Sequence, residues 1–128
     1  MASTEQVMQT TKTASCVCGA VKIVLSGNPL RTTICHCFAC QQRTGSAFGF
    51  NCRFNNSQIV SETGATTSFT RIGDSGGHIE YKFCPTCGST VSYRLRYVQS
   101  FISYLIDVLV IYLHDVIMYL LVVSTSLS

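Results

Sequence analysis

The sequence predicts a mainly β domain held by metal-binding cysteine knuckles, followed by an apolar segment of different character. Three observations carry this. From Gly19 to about Tyr97, apolar residues alternate in short runs separated by Gly, Asn, Pro and Asp, the pattern of half-buried strands bounded by turns. Seven of the eight cysteines fall in three tight clusters: Cys16-Val-Cys18, Cys35-His36-Cys37-Phe-Ala-Cys40 and Cys84-Pro-Thr-Cys87. The charge shifts near Tyr97: residues 1–97 hold all nine Lys and Arg and four of the six acids, whereas residues 98–128 hold Asp107, Asp115 and no basic residue. The 128 residues suit one domain, with an arm at 1–14, a zinc-binding domain at 15–97 and an atypical tail at 98–128.

In chain order, residues 1–14 are polar, lack the apolar core of a secretory signal, and are expected to be a flexible arm. Ala20 to Ser26 places Val21, Ile23 and Leu25 on one strand face. Gly27-Asn28-Pro29 is a turn, because Gly and Asn accept positive φ and Pro presets φ. Leu30 to Ile34 is a second strand that delivers the chain to Cys35. Phe38 to Arg43 is a short helix ended by Gly45. Phe48, Phe50, Cys52 and Phe54 alternate along a third strand, which makes Cys52 a small core residue. Ser57 to Ser61 and Thr66 to Ile72 are two more strands joined through Gly64. The loop Gly73 to Gly77 precedes a strand with Ile79, Tyr81 and Phe83 on one face, and Val91, Tyr93 and Leu95 continue beyond the last cysteines.

The cysteines point to metal rather than disulfides, since no secretory segment is read and reduced thiols bind zinc as thiolates. Seven ligands divide into a closed four-cysteine site and a three-cysteine site with a vacant fourth position, and a vacancy separates catalytic from structural zinc. Cys16-x-Cys18 and Cys84-x-x-Cys87 each open onto a glycine, Gly19 and Gly88, as a tight knuckle requires. Together they make a structural site. Cys35, Cys37 and Cys40 can aim three sulfurs from a turn entering a helix, whose N-terminal amides favour thiolates. Closure of that site by His36 or Cys52 is an alternative. So is a ribbon pairing Cys37 and Cys40 with Cys84 and Cys87, although its 43-residue spacer is long. Bound metal also bears on charge: seven thiolates and two zinc ions cancel the formal +3, so no nucleic-acid partner is expected. Arg43, Arg53, Arg71, Lys82, Arg94 and Arg96 are scattered, and one or two beside an open zinc would attract a peptide carboxylate. No hydrolase triad order, P-loop or dinucleotide fingerprint is present.

The segments Cys16-Val-Cys18-Gly19, Cys35-His36-Cys37-Phe-Ala-Cys40-Gln-Gln-Arg43-Thr-Gly45, Gly73-Asp74-Ser75-Gly76 and Phe83-Cys84-Pro-Thr-Cys87-Gly88 resemble the glutathione-dependent formaldehyde-activating enzyme and centromere protein V family. The resemblance implies a β-tent of the Mss4-like kind. It implies a structural zinc on Cys16, Cys18, Cys84 and Cys87 and a catalytic zinc on Cys35, Cys37 and Cys40. It further implies a carbon–sulfur lyase acting on glutathione and formaldehyde; the reduced cysteines make the cytoplasm the expected compartment, with the nucleus as an alternative. The rival reading is a non-catalytic zinc module with a chromatin, microtubule or GTPase partner. Methionine-sulfoxide reduction, which β-tents also perform, needs a late-strand cysteine, and none follows Cys87.

The resemblance runs from about Ser15 to Tyr93, and Val98 to Ser128 does not look like the family's closing strands. That predicts a domain without its final strands and a helical tail. Residues 101–123 have the length of a membrane span, but Asp107 and Asp115 would each cost about 2.5 to 3.5 kcal/mol near a bilayer centre. A helix with Ser103, Asp107, His114 and Asp115 on one stripe, packed on protein, is the expectation, although the β-branched and aromatic content would equally permit strands.

Overall fold

The computed structural model describes residues 11–96 in full and residues 105–109 and 124–126 as backbone. The described residues are mainly β, with one α-helix. Strands β1 (Thr11–Ser15) and β2 (Lys22–Ser26) pair antiparallel, and β2 pairs in turn with β5 (Ile59–Thr63), giving a three-stranded sheet. A second sheet of seven strands runs β10-β3-β4-β9-β8-β7-β6. Its members are β3 (Arg31–Cys35), β4 (Gly49–Asn55), β6 (Thr67–Ile72), β7 (His78–Phe83), β8 (Thr90–Arg96), β9 (Leu105–Leu109) and β10 (Ser124–Ser126). Helix α1 (Phe38–Thr44) joins β3 to β4.

The alternation read from the sequence sets the core. Val21 just before β2 and Ile23 and Leu25 within it turn inward, with Cys52 and Phe54 from β4 and Val91 from β8; Ala14, Cys16 and Cys84 complete one buried cluster. Sequestering these side chains contributes about 25 cal/mol per Å² of apolar surface removed from water. Cys52 is wholly buried there, as its phase with Phe54 implies. Phe48, on the same expected stripe, lies instead before the first paired residue of β4 and is exposed.

Two expectations are corrected. Residues 11–14 are not a flexible arm: Thr11 to Ser15 pairs with Ser26 to Lys22, and Ala14 is fully buried. Thr11 and Thr13 are β-branched and suit a pleated strand, while Ala14 supplies the inward contact. Nor do residues 105–109 form part of a helix. They make β9, a central strand hydrogen-bonded to β4 on one side and β8 on the other. A short strand inside a long apolar run leaves no period that separates it from a helix segment. The sheet thus continues past residue 97, and β10 pairs parallel with β3, Ser126 opposite Cys35. The remainder of the expected helix, 98–104 and 110–123, lies outside the described residues, as do residues 1–10. Among the described residues, no helix is long and apolar enough to cross a membrane.

Candidate metal centres and the adjoining cavity

Two loops bring the first sulfur cluster together. The β1–β2 loop carries Cys16 and Cys18, and the β7–β8 loop carries Cys84 and Cys87; the four sulfurs lie within 4.8 Å of one another. Cys18 Sγ stands 3.6 Å from both Cys16 Sγ and Cys84 Sγ. A tetrahedron of sulfurs about 2.3 Å from zinc has edges of about 3.8 Å, so the spacing fits a metal and is far too long for a disulfide. Gly19 and Gly88 hold φ of +80° and +75°, the left-handed turns that a knuckle needs. The Val21 N–H donates to Cys16 Sγ at 3.2 Å. Ser89 Oγ lies 3.2 Å from Cys87 Sγ and accepts the Val17 N–H at 3.3 Å, tying one knuckle to the other.

The thiols of this cluster differ in their electrostatics. The Ser89 hydroxyl, with the Cys18 and Ser89 N–H groups, draws the Cys87 thiol down to about 5, and the Val21 N–H lowers Cys16. At Cys18 the Ala20 N–H also pulls down, but neighbouring sulfurs, Cys16 foremost, and burial outweigh it and push the thiol up to about 11. Some of the sulfurs ionise only at the expense of others, and a divalent cation removes that conflict.

The second cluster is Cys35, Cys37 and Cys40, whose sulfurs also lie within 4.8 Å of one another. Cys35 ends β3. Cys37 is the N-cap of α1, its sulfur accepting the Cys40 N–H at 3.4 Å. Cys40 sits one turn in, and burial, then Cys37 and Cys35, push its thiol up to about 12. Among the described residues no His, Asp, Glu or further Cys joins the trio. The two candidates for closure are placed elsewhere: Cys52 is in the core, and the His36 ring packs on Phe48 at 5.7 Å. The ribbon pairing is likewise not what the fold assembles.

Beside this trio opens a cavity of about 540 Å³ between α1 and the β6–β7 face, lined by Ala39, Arg43, Phe69, Arg71, Tyr81 and Phe83 among others. Strand register puts Phe69 opposite Tyr81 and Tyr81 opposite Tyr93. Arg71 Nε donates to the Tyr81 hydroxyl at 3.0 Å. The Arg43 and Arg71 guanidinium carbons lie 5.7 and 5.9 Å from the centre of the Tyr81 ring. Burial pulls the Arg71 pKa down, but the Tyr81 hydroxyl and the charges of Cys37 and Cys40 outweigh it and hold it above its ordinary value. Arg43 Nη2 and Cys40 Sγ both border the space where a Gly49 Cβ would sit, which puts Arg43 beside the sulfur trio.

The fold thus brings all seven clustered cysteines into two groups, divided as four and three. Of the scattered basic residues, Arg43 and Arg71 stand at the trio. Arg43 could be found from its spacing, three residues beyond Cys40 on one helix. Arg71 and Tyr81 reach the cavity through strand register, which spacing does not reveal.

No curated relative matches the chain. The family model for glutathione-dependent formaldehyde-activating enzyme matches residues 11–109, from the start of β1 to the end of β9. That span takes in both sulfur clusters, the cavity and the central strand β9, and the chain belongs to this family.

Proposed function

We propose that this protein is a zinc-dependent enzyme of the carbon–sulfur lyase type, similar to S-(hydroxymethyl)glutathione synthase, that joins the thiol of glutathione to formaldehyde. The observation that carries this reading is the three-cysteine group with no fourth protein ligand among the described residues, opening beside a cavity lined by two guanidinium groups. Cys35, Cys37 and Cys40 would hold the catalytic zinc; Cys16, Cys18, Cys84 and Cys87 would hold a second, structural one. With three protein ligands, a bound zinc offers an open position and the Lewis acidity that acidifies a thiol or polarises a carbonyl oxygen. In the reaction the thiol sulfur forms a bond to the aldehyde carbon, the carbonyl π bond breaks, and the thiol proton ends on the new hydroxyl, with no net redox change. The Phe69, Tyr81 and Phe83 side chains give one wall of the cavity an apolar surface, and the cations beside it favour an anionic thiol peptide. Reduced cysteines suit a reducing compartment, the cytoplasm.

Exchange between free formaldehyde and its glutathione adduct, followed by NMR with zinc-loaded protein, tests the reading. The expected result is exchange well above the spontaneous rate, lost in Cys37→Ser. A rate equal to the spontaneous one sinks the activity. That result would favour the alternative of a zinc-bearing interaction module, to which the exposed tips Val17 and Phe38, each 83% exposed, would be suited.

A further inference from the structure

We propose that Arg43 and Arg71 form a carboxylate-binding subsite in the cavity beside the three-cysteine group, anchoring a small thiol peptide by its carboxylate so that its sulfur reaches the trio. This rests on the reading above for the identity of the ligand. The cavity has the size and the largely apolar lining of a small-molecule site, about 300 to 1,000 Å³ being usual, with charge concentrated at two points. Both guanidinium groups are held on one ring, that of Tyr81, and the Arg71 fork is oriented by its bond to the Tyr81 hydroxyl.

The groups have donors to spare. Arg43 Nε and Nη2 are shielded from solvent and have no hydrogen-bond partner among the described residues. Buried donors without acceptors are costly; Nη2 lies toward Gly49 and Cys40, so these donors meet a carboxylate once the Arg43 side chain turns into the cavity it lines. The described carboxylates that form ion pairs, Glu62 and Glu80, pair with Arg94 and Arg96, so neither neutralises the cavity. A planar guanidinium matches a carboxylate through two parallel N–H···O bonds. The apolar wall of Phe69 and Phe83 suits the methylene and amide links that separate a peptide's carboxylate from its thiol. Such an anchor converts encounter of thiol and aldehyde into reaction within one held geometry.

S-methylglutathione is the test probe, because it keeps both carboxylates but has no thiol proton and cannot enter the reaction. Its binding to zinc-loaded protein is measured by calorimetry for wild type, Arg71→Gln, Arg71→Lys and Arg43→Gln, with zinc per chain determined for each. The expected result is saturable binding by wild type and a loss of about tenfold or more in Arg71→Gln at unchanged zinc content, charge-assisted hydrogen bonds being the strong ones. Arg71→Lys, which keeps charge but not the fork, falls between. The diethyl ester of the probe binds wild type no better than the probe binds Arg71→Gln. Should Arg43→Gln fail to fold because α1 packs on it, the Arg71 series decides alone. Equal affinity in wild type and Arg71→Gln, equal affinity for probe and ester, or no binding by wild type overturns the proposal. Arginine-dependent probe binding without any acceleration of adduct exchange would leave the subsite standing and remove the catalytic reading.

Discussion

Gly64 shows how one residue reaches a metal centre. It turns the chain between β5 and β6 at φ +92°, and a Cβ there would collide with the Ala20 carbonyl, two residues beyond Cys18. Gly64→Ala therefore adds backbone collision to left-handed strain and should destabilise the fold by clearly more than Gly76→Ala. Gly76 has φ +85° but nothing within 4 Å, so its substitution should cost only about 1 kcal/mol. Denaturant unfolding of the two variants checks the order; equal losses would show that the contact with the knuckle carries no strain. The thiols give a pH prediction at the same scale. Zinc binds thiolates, and Cys18 at about 11 and Cys40 at about 12 are protonated at neutral pH in the metal-free protein. Binding must expel those protons, so affinity at each cluster should fall as pH falls, by up to about tenfold per pH unit for each proton released. Chelator competition between pH 8 and 6 measures this, and a flat profile would contradict it. At this scale the cysteine division and the buried Cys52 are legible in the sequence. Tyr81 reads there only as a strand residue, because its role depends on a helix arginine and a strand arginine converging on one ring.

Among the elements, β9 has most to say. Its place between β4 and β8 makes it the connection between the strand that follows the sulfur trio and the strands that carry the cavity wall. Val108 pairs with Cys52 on one side and Ser92 on the other. Proline there removes an N–H and places a rigid ring inside a central strand, where it is not tolerated. Val108→Pro should abolish cooperative folding, with loss of the β signature by circular dichroism; a fully folded variant would show that the sheet does not depend on β9. Short strands with turn residues at both ends, β2 and β7 above all, are recognisable from sequence because alternation and punctuation agree. β1 and β9 are not: the first is five mostly polar residues whose partner supplies the order, and the second is a stretch of a long apolar run, which leaves no period to read. Helix α1 is visible because Cys37 caps it and Gly45 ends it.

For the whole molecule, the proposed reading gives the two clusters different work. Cys16 and Cys18 belong to the three-stranded sheet's β1–β2 loop, and Cys84 and Cys87 to the seven-stranded sheet's β7–β8 loop, so a metal held by all four links one sheet to the other. A modest core of this size gains from such a cross-link. The trio at the β3–α1 junction makes no such link and stands beside Arg43, which lines the cavity. Zinc per chain, measured by elemental analysis on purified wild-type protein and on Cys37→Ser, tests this division most directly. The account predicts about two zinc ions in the wild type and about one in a variant that remains folded. One zinc in both proteins would contradict it, because the three-cysteine group would then not be a metal site and the proposed chemistry would have no centre.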